Sequence, residues 1–123
     1  MYKPRDPREL AVDLLPRSTC SIKCAAVIAD KWGILSWGSN HVGFDGFGQH
    51  AEAEAIRRSN RKRLKGATIY VAAERTRNGK SVPARPCMDC FRLICKNEIK
   101  RVWFRDNDNK WKELAGYVEV NYE

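Results

Sequence analysis

At 123 residues the chain has room for one domain built around one core, and residues 1–123 are read as that domain. With 43% hydrophobic and 31% charged residues, the composition excludes a disordered chain, and apolar runs such as Cys24 to Ala29 are too short to span a bilayer. A formal net charge of +8 favours a phosphate-bearing partner through long-range attraction.

Met1 to Asp6 carries no apolar stretch of the kind that directs secretion, so a cytoplasmic protein with no membrane partner is expected. Asp6 to Leu15 places Leu10, Val12, Leu14 and Leu15 between charges, which predicts a short amphipathic helix ended by Pro16. Ser21 to Ala29 and Ile34 to Trp37 read as the strands of a hairpin, with Asp30-Lys31-Trp32-Gly33 as its turn. Gly38 to Gln49 holds four glycines among Asn40, His41, Phe44 and Phe47, too irregular for helix or strand, and is read as a functional loop.

From His50 to Leu64 the alanines, Ile56 and Leu64 predict one helix capped near Gly66, followed by a buried strand over Ala67 to Ala73. The helix ends in a basic cluster, Arg57 to Lys65, which reads equally as a solvated face or as an anion-binding one. A basic loop, Glu74 to Arg85, leads to a second helix at Cys87 to Lys96 with Pro86 at its start, and then to a strand at Ile99 to Arg105. The turn cluster Asp106 to Asn109 is so short that a strand at Lys110 to Leu114 must pair antiparallel with its predecessor. Tyr117 to Tyr122 alternates like an edge strand. Repeats and low-complexity tracts are absent, and the pattern is α/β, a sheet covered by helices. Trp32, Trp37, Trp103 and Trp111 are assigned mostly to core and sheet packing.

Two motifs open the two helices: His50-Ala51-Glu52, and Pro86-Cys87-Met88-Asp89-Cys90. One imidazole and two thiolates make a three-ligand zinc site whose fourth position is open to water, as catalytic zinc requires. The Cys87 and Cys90 spacing puts both sulfurs on one face of a first helical turn, where the helix dipole favours thiolate. The odd total of five cysteines, unevenly spaced, argues for reduced thiols over a disulfide framework. Cys20, Cys24, Cys95 and His41 are the rival fourth ligands; Cys95 falls off the helical face of Cys90 and is expected in the core.

This pair of motifs resembles the active site of the zinc-dependent cytidine/deoxycytidylate deaminase superfamily, from the first hairpin to the turn near Asn109. The resemblance implies a cytidine deaminase-like three-layer α/β/α sandwich, with a mixed sheet of about five strands whose last two are antiparallel. It implies one Zn²⁺ per chain held by His50, Cys87 and Cys90, with Glu52 moving protons. Zinc lowers the pKa of water to about 7, so hydroxide becomes available to attack a ring carbon, and a carboxylate is needed to carry the protons. By the same analogy, backbone near Ala51 and Cys87 holds the base and Asn40 grips the sugar, unless Asn40 is simply a turn residue. His41 lines the same loop. Phe44 and Phe47 either stack on a base or pack beneath the loop.

The direct turn between the last two strands is similar to the branch of free-nucleoside and toxin deaminases, whereas histidine as first ligand departs from the free-nucleoside enzymes. The loop with Arg75, Arg77 and Arg85 is similar to loops of small phage-type deaminases, and suits either a terminal phosphate or a nucleic-acid backbone. Three readings follow: a deaminase of cytidine or deoxycytidine nucleosides or nucleotides; an editor of cytosine, less readily adenine, in single-stranded nucleic acid; and a non-catalytic zinc-bearing nucleic-acid module. Oligomeric state is not legible from one sequence.

Overall fold

The computed structural model describes residues 5–42 and 48–114. The first helix, α1 (Pro7–Leu14), starts where the sequence predicts. Asp6 caps it, its carboxylate accepting the Arg8 N–H at 2.8 Å, and Pro7 fills a first-turn position that needs no N–H. Leu15–Arg17 tighten into a single 3-10 turn around Pro16. The hairpin follows as β1 (Ile22–Asp30) and β2 (Gly33–Ser39), joined by a turn in which Gly33 takes a φ of +128°. Between Ile28 and Ala29 the β1–β2 register shifts, leaving Leu35 as an extra residue in β2.

The glycine-rich loop contains a short pair of strands, β3 (His41–Val42) and β4 (Gly48–Gln49). Phe44 and Phe47, and the strand expected at Tyr117 to Tyr122, lie outside the described residues. The expected helix from His50 to Leu64 is two helices, α2 (Ala51–Arg58) and α3 (Arg61–Leu64). Ser59 breaks it: its backbone is extended, and its hydroxyl turns back to Ala55 O (2.9 Å) and meets the Ser36 hydroxyl. Asn60 then caps α3, accepting the Lys62 N–H at 3.0 Å, and Gly66 (φ +81°) closes the turn.

Strand β5 (Thr68–Arg75), helix α4 (Met88–Lys96), β6 (Arg101–Arg105) and β7 (Trp111–Glu113) complete the described chain. The sheet order is β2-β1-β5-β6-β7. β5 and β6 are parallel, with α4 in the crossover between them, and the other neighbouring pairs, β6–β7 included, are antiparallel.

Alternation along β1 and β5 divides the core into two layers. Ala26, Ile28, Ile69, Val71 and Ala73 face α2 and α4, where they meet Ala51, Ala55 and Ile94; Ala25, Val27 and Ala72 face α1 and meet Ala11, Leu14 and Leu15. The fold is therefore an α/β/α sandwich with the mixed five-stranded sheet that was expected. Two tryptophans correct the packing assignment, since Trp32 is 78% exposed at the hairpin turn and Trp37 is 42% exposed on the edge strand. Trp111 packs on the α1 layer and meets Tyr70 edge to face at 6.2 Å.

Candidate active site

Helix α2 can place its first turn only because β2 lets it come close. A Cβ on Gly38 would stand 2.5 Å from Ala51 O and 2.8 Å from Ala55 N, so residue 38 must lack a side chain for α2 to dock. Ser36 adds a bond from its hydroxyl to Ala55 O at 2.7 Å. With α2 fixed, His50 occupies its N-cap and Glu52 its first turn. On the neighbouring helix Cys87 is the N-cap of α4 and Cys90 lies in the first turn, which puts both thiols beside His50.

His50 Nδ1 lies 3.5 Å from Cys87 Sγ and 3.2 Å from Cys90 Sγ, and the three donor atoms all fall within 4.8 Å of one another. Zinc bonded to nitrogen and sulfur at tetrahedral angles spans an N···S distance of about 3.5 Å, so the donor set and its spacing fit that metal. Among the described residues this is the group of histidine, cysteine or acidic side chains with such spacing. Burial, then the charges of Glu52 and Cys87, hold the Cys90 thiol well above its ordinary range. A bound cation favours the thiolate against that burial.

Glu52 is 5% exposed, and burial raises its carboxyl above the usual range against opposing pulls from a backbone hydrogen bond, His50 and Cys90. It faces a cavity of about 380 Å³ whose wall also includes Asn40, His50, Ala51, Cys87, Arg75 and Arg85. That volume lies in the range of sites for small organic ligands. Arg85 sits over the Phe104 ring at 5.0 Å, which steadies its guanidinium. Arg77 does not line this cavity; it belongs to the exposed turn that Gly79 (φ +67°) closes beyond β5.

Asn40 is anchored more firmly than a turn residue needs to be. Its Oδ1 accepts the Cys24 N–H at 2.8 Å and the Ser18 hydroxyl, and its Nδ2 donates to Ile22 O at 2.9 Å. One Nδ2 hydrogen remains for the cavity. His41 stands outside the cavity wall: its Nδ1 lies 3.5 Å from Glu54, a buried carboxylate that also takes Arg58 at 3.4 Å and the Ser39 N–H at 3.3 Å. Sequence reasoning passed over Glu54, although its position four residues before Arg58 is the signal for such a pair.

The sequence reading also missed Cys20, Cys24, Val82, Pro83 and Ala84 as wall residues. Cys24 was legible, since alternation from Ala26 and Ile28 puts it on the α2 face of β1. Burial pushes its thiol well above the ordinary range. Cys95 packs partly buried against the core, on the side of the core facing α2 and α4.

The mixed five-stranded sheet thus gathers one imidazole, two thiols and a buried carboxylate at the starts of two helices. The sequence matches the family described as the cytidine and deoxycytidylate deaminase zinc-binding region over residues 6–105, and the chain belongs to that family. None of the curated proteins matches it in sequence. Among solved structures it is similar to cytidine deaminase from Burkholderia pseudomallei, with 18% identity, TM-score 0.71, and 89% of this chain and 91% of that one covered. It is also similar to dCMP deaminase from the cyanophage S-TIM5 in complex with dCMP and dUMP, with 20% identity, TM-score 0.62, and 94% and 86% covered. Cytidine deaminase from Mycobacterium leprae gives 16% identity, TM-score 0.63, and 92% of both chains. At these identities the likeness is one of fold. Among the described residues no helix is long and apolar enough to cross a membrane.

Proposed function

We propose that the protein is a zinc-dependent hydrolytic deaminase that converts cytosine to uracil in a cytidine or deoxycytidine nucleoside or nucleotide, releasing ammonia. The observation that carries this reading is the meeting of His50, Cys87 and Cys90 beside the buried Glu52 on the wall of one cavity. His50, Cys87 and Cys90 would hold one Zn²⁺, which supplies a Lewis acid that lowers the pKa of water to about 7.

The chain's own groups do the rest. Glu52 takes a proton from the attacking water as the C4–O bond forms and delivers it to ring nitrogen N3; Glu52 then carries the proton of the new C4 hydroxyl to the exocyclic amine, the C4–N bond breaks as the C4 carbonyl forms, and ammonia leaves. Burial suits Glu52 to this role, because lifting its carboxyl above the usual range makes it a stronger proton acceptor that can still return the proton. Ala51 and the first-turn backbone of α4 at Cys87 flank the space for the base, where helix N–H groups have no partner within the helix. The remaining Nδ2 hydrogen of Asn40 meets a sugar hydroxyl. Arg75 and Arg85 line the wall where a 5′-phosphate would be held, and fewer contacts are available to Arg77 in its exposed turn.

The test is ammonia release from cytidine, deoxycytidine, their monophosphates and cytosine-bearing oligonucleotides, compared at several salt concentrations. Turnover of the small molecules is expected. Turnover confined to oligonucleotides would replace this reading with that of a polynucleotide editor, and zinc retention without turnover on any of them would leave only a binding module.

A further inference from the structure

Most of the chain's excess charge sits at the end of the sheet farthest from the cavity. Segments 30–33, 57–66 and 96–100 hold nine Lys and Arg residues against two acids, a net of +7 out of the formal +8. The fold draws these segments together. Arg63 binds Asp30 at 2.9 Å, the Gly66 N–H donates to Glu98 O at 2.9 Å, and the Lys100 N–H donates to Ala67 O at 2.8 Å. Arg58 and Arg63 are neutralised by Glu54 and Asp30, but Lys31, Arg57, Arg61, Lys62 and Lys65 are exposed and make no ion pair among the described residues.

Two further features mark the same pole. Trp32 stands 78% exposed at the tip of the hairpin, with the Lys31 ammonium 5.3 Å from its ring centroid. Beside the turn opens a second cavity of about 300 Å³, lined in part by Arg5, Lys31, Ile34, Gly66 and Tyr70. An indole left this exposed adds little to the core, whereas beside cations that make no ion pair among the described residues it offers a stacking face flanked by phosphate ligands.

We propose that this pole binds single-stranded nucleic acid, independently of the deamination site, with Lys31, Arg57, Arg61 and Lys62 on the phosphates and a base stacked on Trp32. A single strand fits better than a duplex because stacking on a side chain requires an unstacked base. A lipid surface fits less well, because membrane-surface helices turn an apolar face outward while α3 buries its one apolar residue, Leu64, to 1% exposure. Cys24 and Asp30 are six residues apart on β1, so the pole lies about 20 Å from the zinc-site cavity.

The experiment is fluorescence anisotropy of the whole protein with labelled oligothymidylate, which has no amino group to lose and so does not depend on the deaminase reading. Binding is expected to weaken at least tenfold between about 50 and 200 mM salt. Lys31→Glu combined with Lys62→Glu should lose about tenfold or more, and Trp32→Ala about 5- to 100-fold, with turnover of a free cytidine compound unchanged in each. The proposal is overturned by absence of binding at low salt, by equal binding in the pole variants, by loss only in Arg75→Ala, or by capture on phosphatidylserine vesicles without oligothymidylate binding.

Discussion

The two ends of the sheet use the same two helices in opposite ways. At one end α2 and α4 begin, and their first turns carry Glu52, Glu54 and Asp89 beside His50 and the cysteines. At the other end they finish, in Arg57 and Arg58 on α2 and Lys96 on α4. Peptide dipoles favour this separation of acids from bases. Burial then makes the ends chemically different. At the starting end Ala51, Ala73, Ala84, Cys90 and Glu52 are enclosed, and desolvation dominates, lifting both Glu52 and Cys90. At the finishing end the charged groups stand in water and act at range. One end thus gathers buried titratable side chains around a cavity, and the other presents its charge to solvent.

Substitutions that leave one end intact while disabling the other sharpen this contrast. The largest effect is expected at Glu52. Glu52→Gln should lower kcat by about 10²- to 10⁴-fold while metal content stays at the wild-type level, because the amide keeps the shape but carries no proton. Unaltered turnover would strip Glu52 of its role. Cys90→Ser removes one of three donors and should lose most of the bound metal on mild chelation, measured by elemental analysis, together with a lower thermal midpoint. If zinc stayed at full occupancy, the metal would have to be elsewhere. Gly38→Ala acts one step back, by pressing α2 away from β2. A cost of about 1–3 kcal/mol in urea unfolding is expected, with weaker metal retention since His50 travels with α2. Oligothymidylate binding at the far end should survive all three changes once the protein is folded.

How much of this the sequence disclosed depends on whether local chemistry or tertiary competition decides. The meeting of His50, Cys87 and Cys90 was legible because two short motifs, each opening a helix, carry the three side chains. The antiparallel β6–β7 pair was legible because the Asp106–Asn109 turn is too short for anything else. The break between α2 and α3 was not, since Ala51 to Leu64 is rich in helix formers and only the pairing of Ser59 with Ser36, distant in sequence, reveals the rupture. Trp32 was misjudged for the reverse reason: strand propensity favours aromatics, but a turn position offers no neighbour to pack against. His41 looked like a loop ligand, and its tie to Glu54 depends on the docking that Gly38 allows.

The smallest expected effect concerns the ion pair that fastens α3 to the hairpin turn. Arg63, through its hydrogen bonds to Asp30, holds that carboxyl below its ordinary value near 3.8, with burial opposing. A depressed carboxyl stabilises the fold above its unfolded value, and that contribution fades as pH falls through the lower folded value. Asp30→Asn should therefore cost under about 1 kcal/mol at pH 7, less in high salt, and the deficit should shrink as pH falls below the ordinary value of 3.8. Asparagine retains an oxygen for the Trp32 N–H, which Asp30 Oδ1 accepts at 2.8 Å, so the turn itself is preserved. A deficit that persisted in acid would place the contribution of Asp30 in the turn and not in its charge. Because this pair lies at the far end, kcat should not move with it, and a change in kcat would show that the two ends are mechanically coupled through β1.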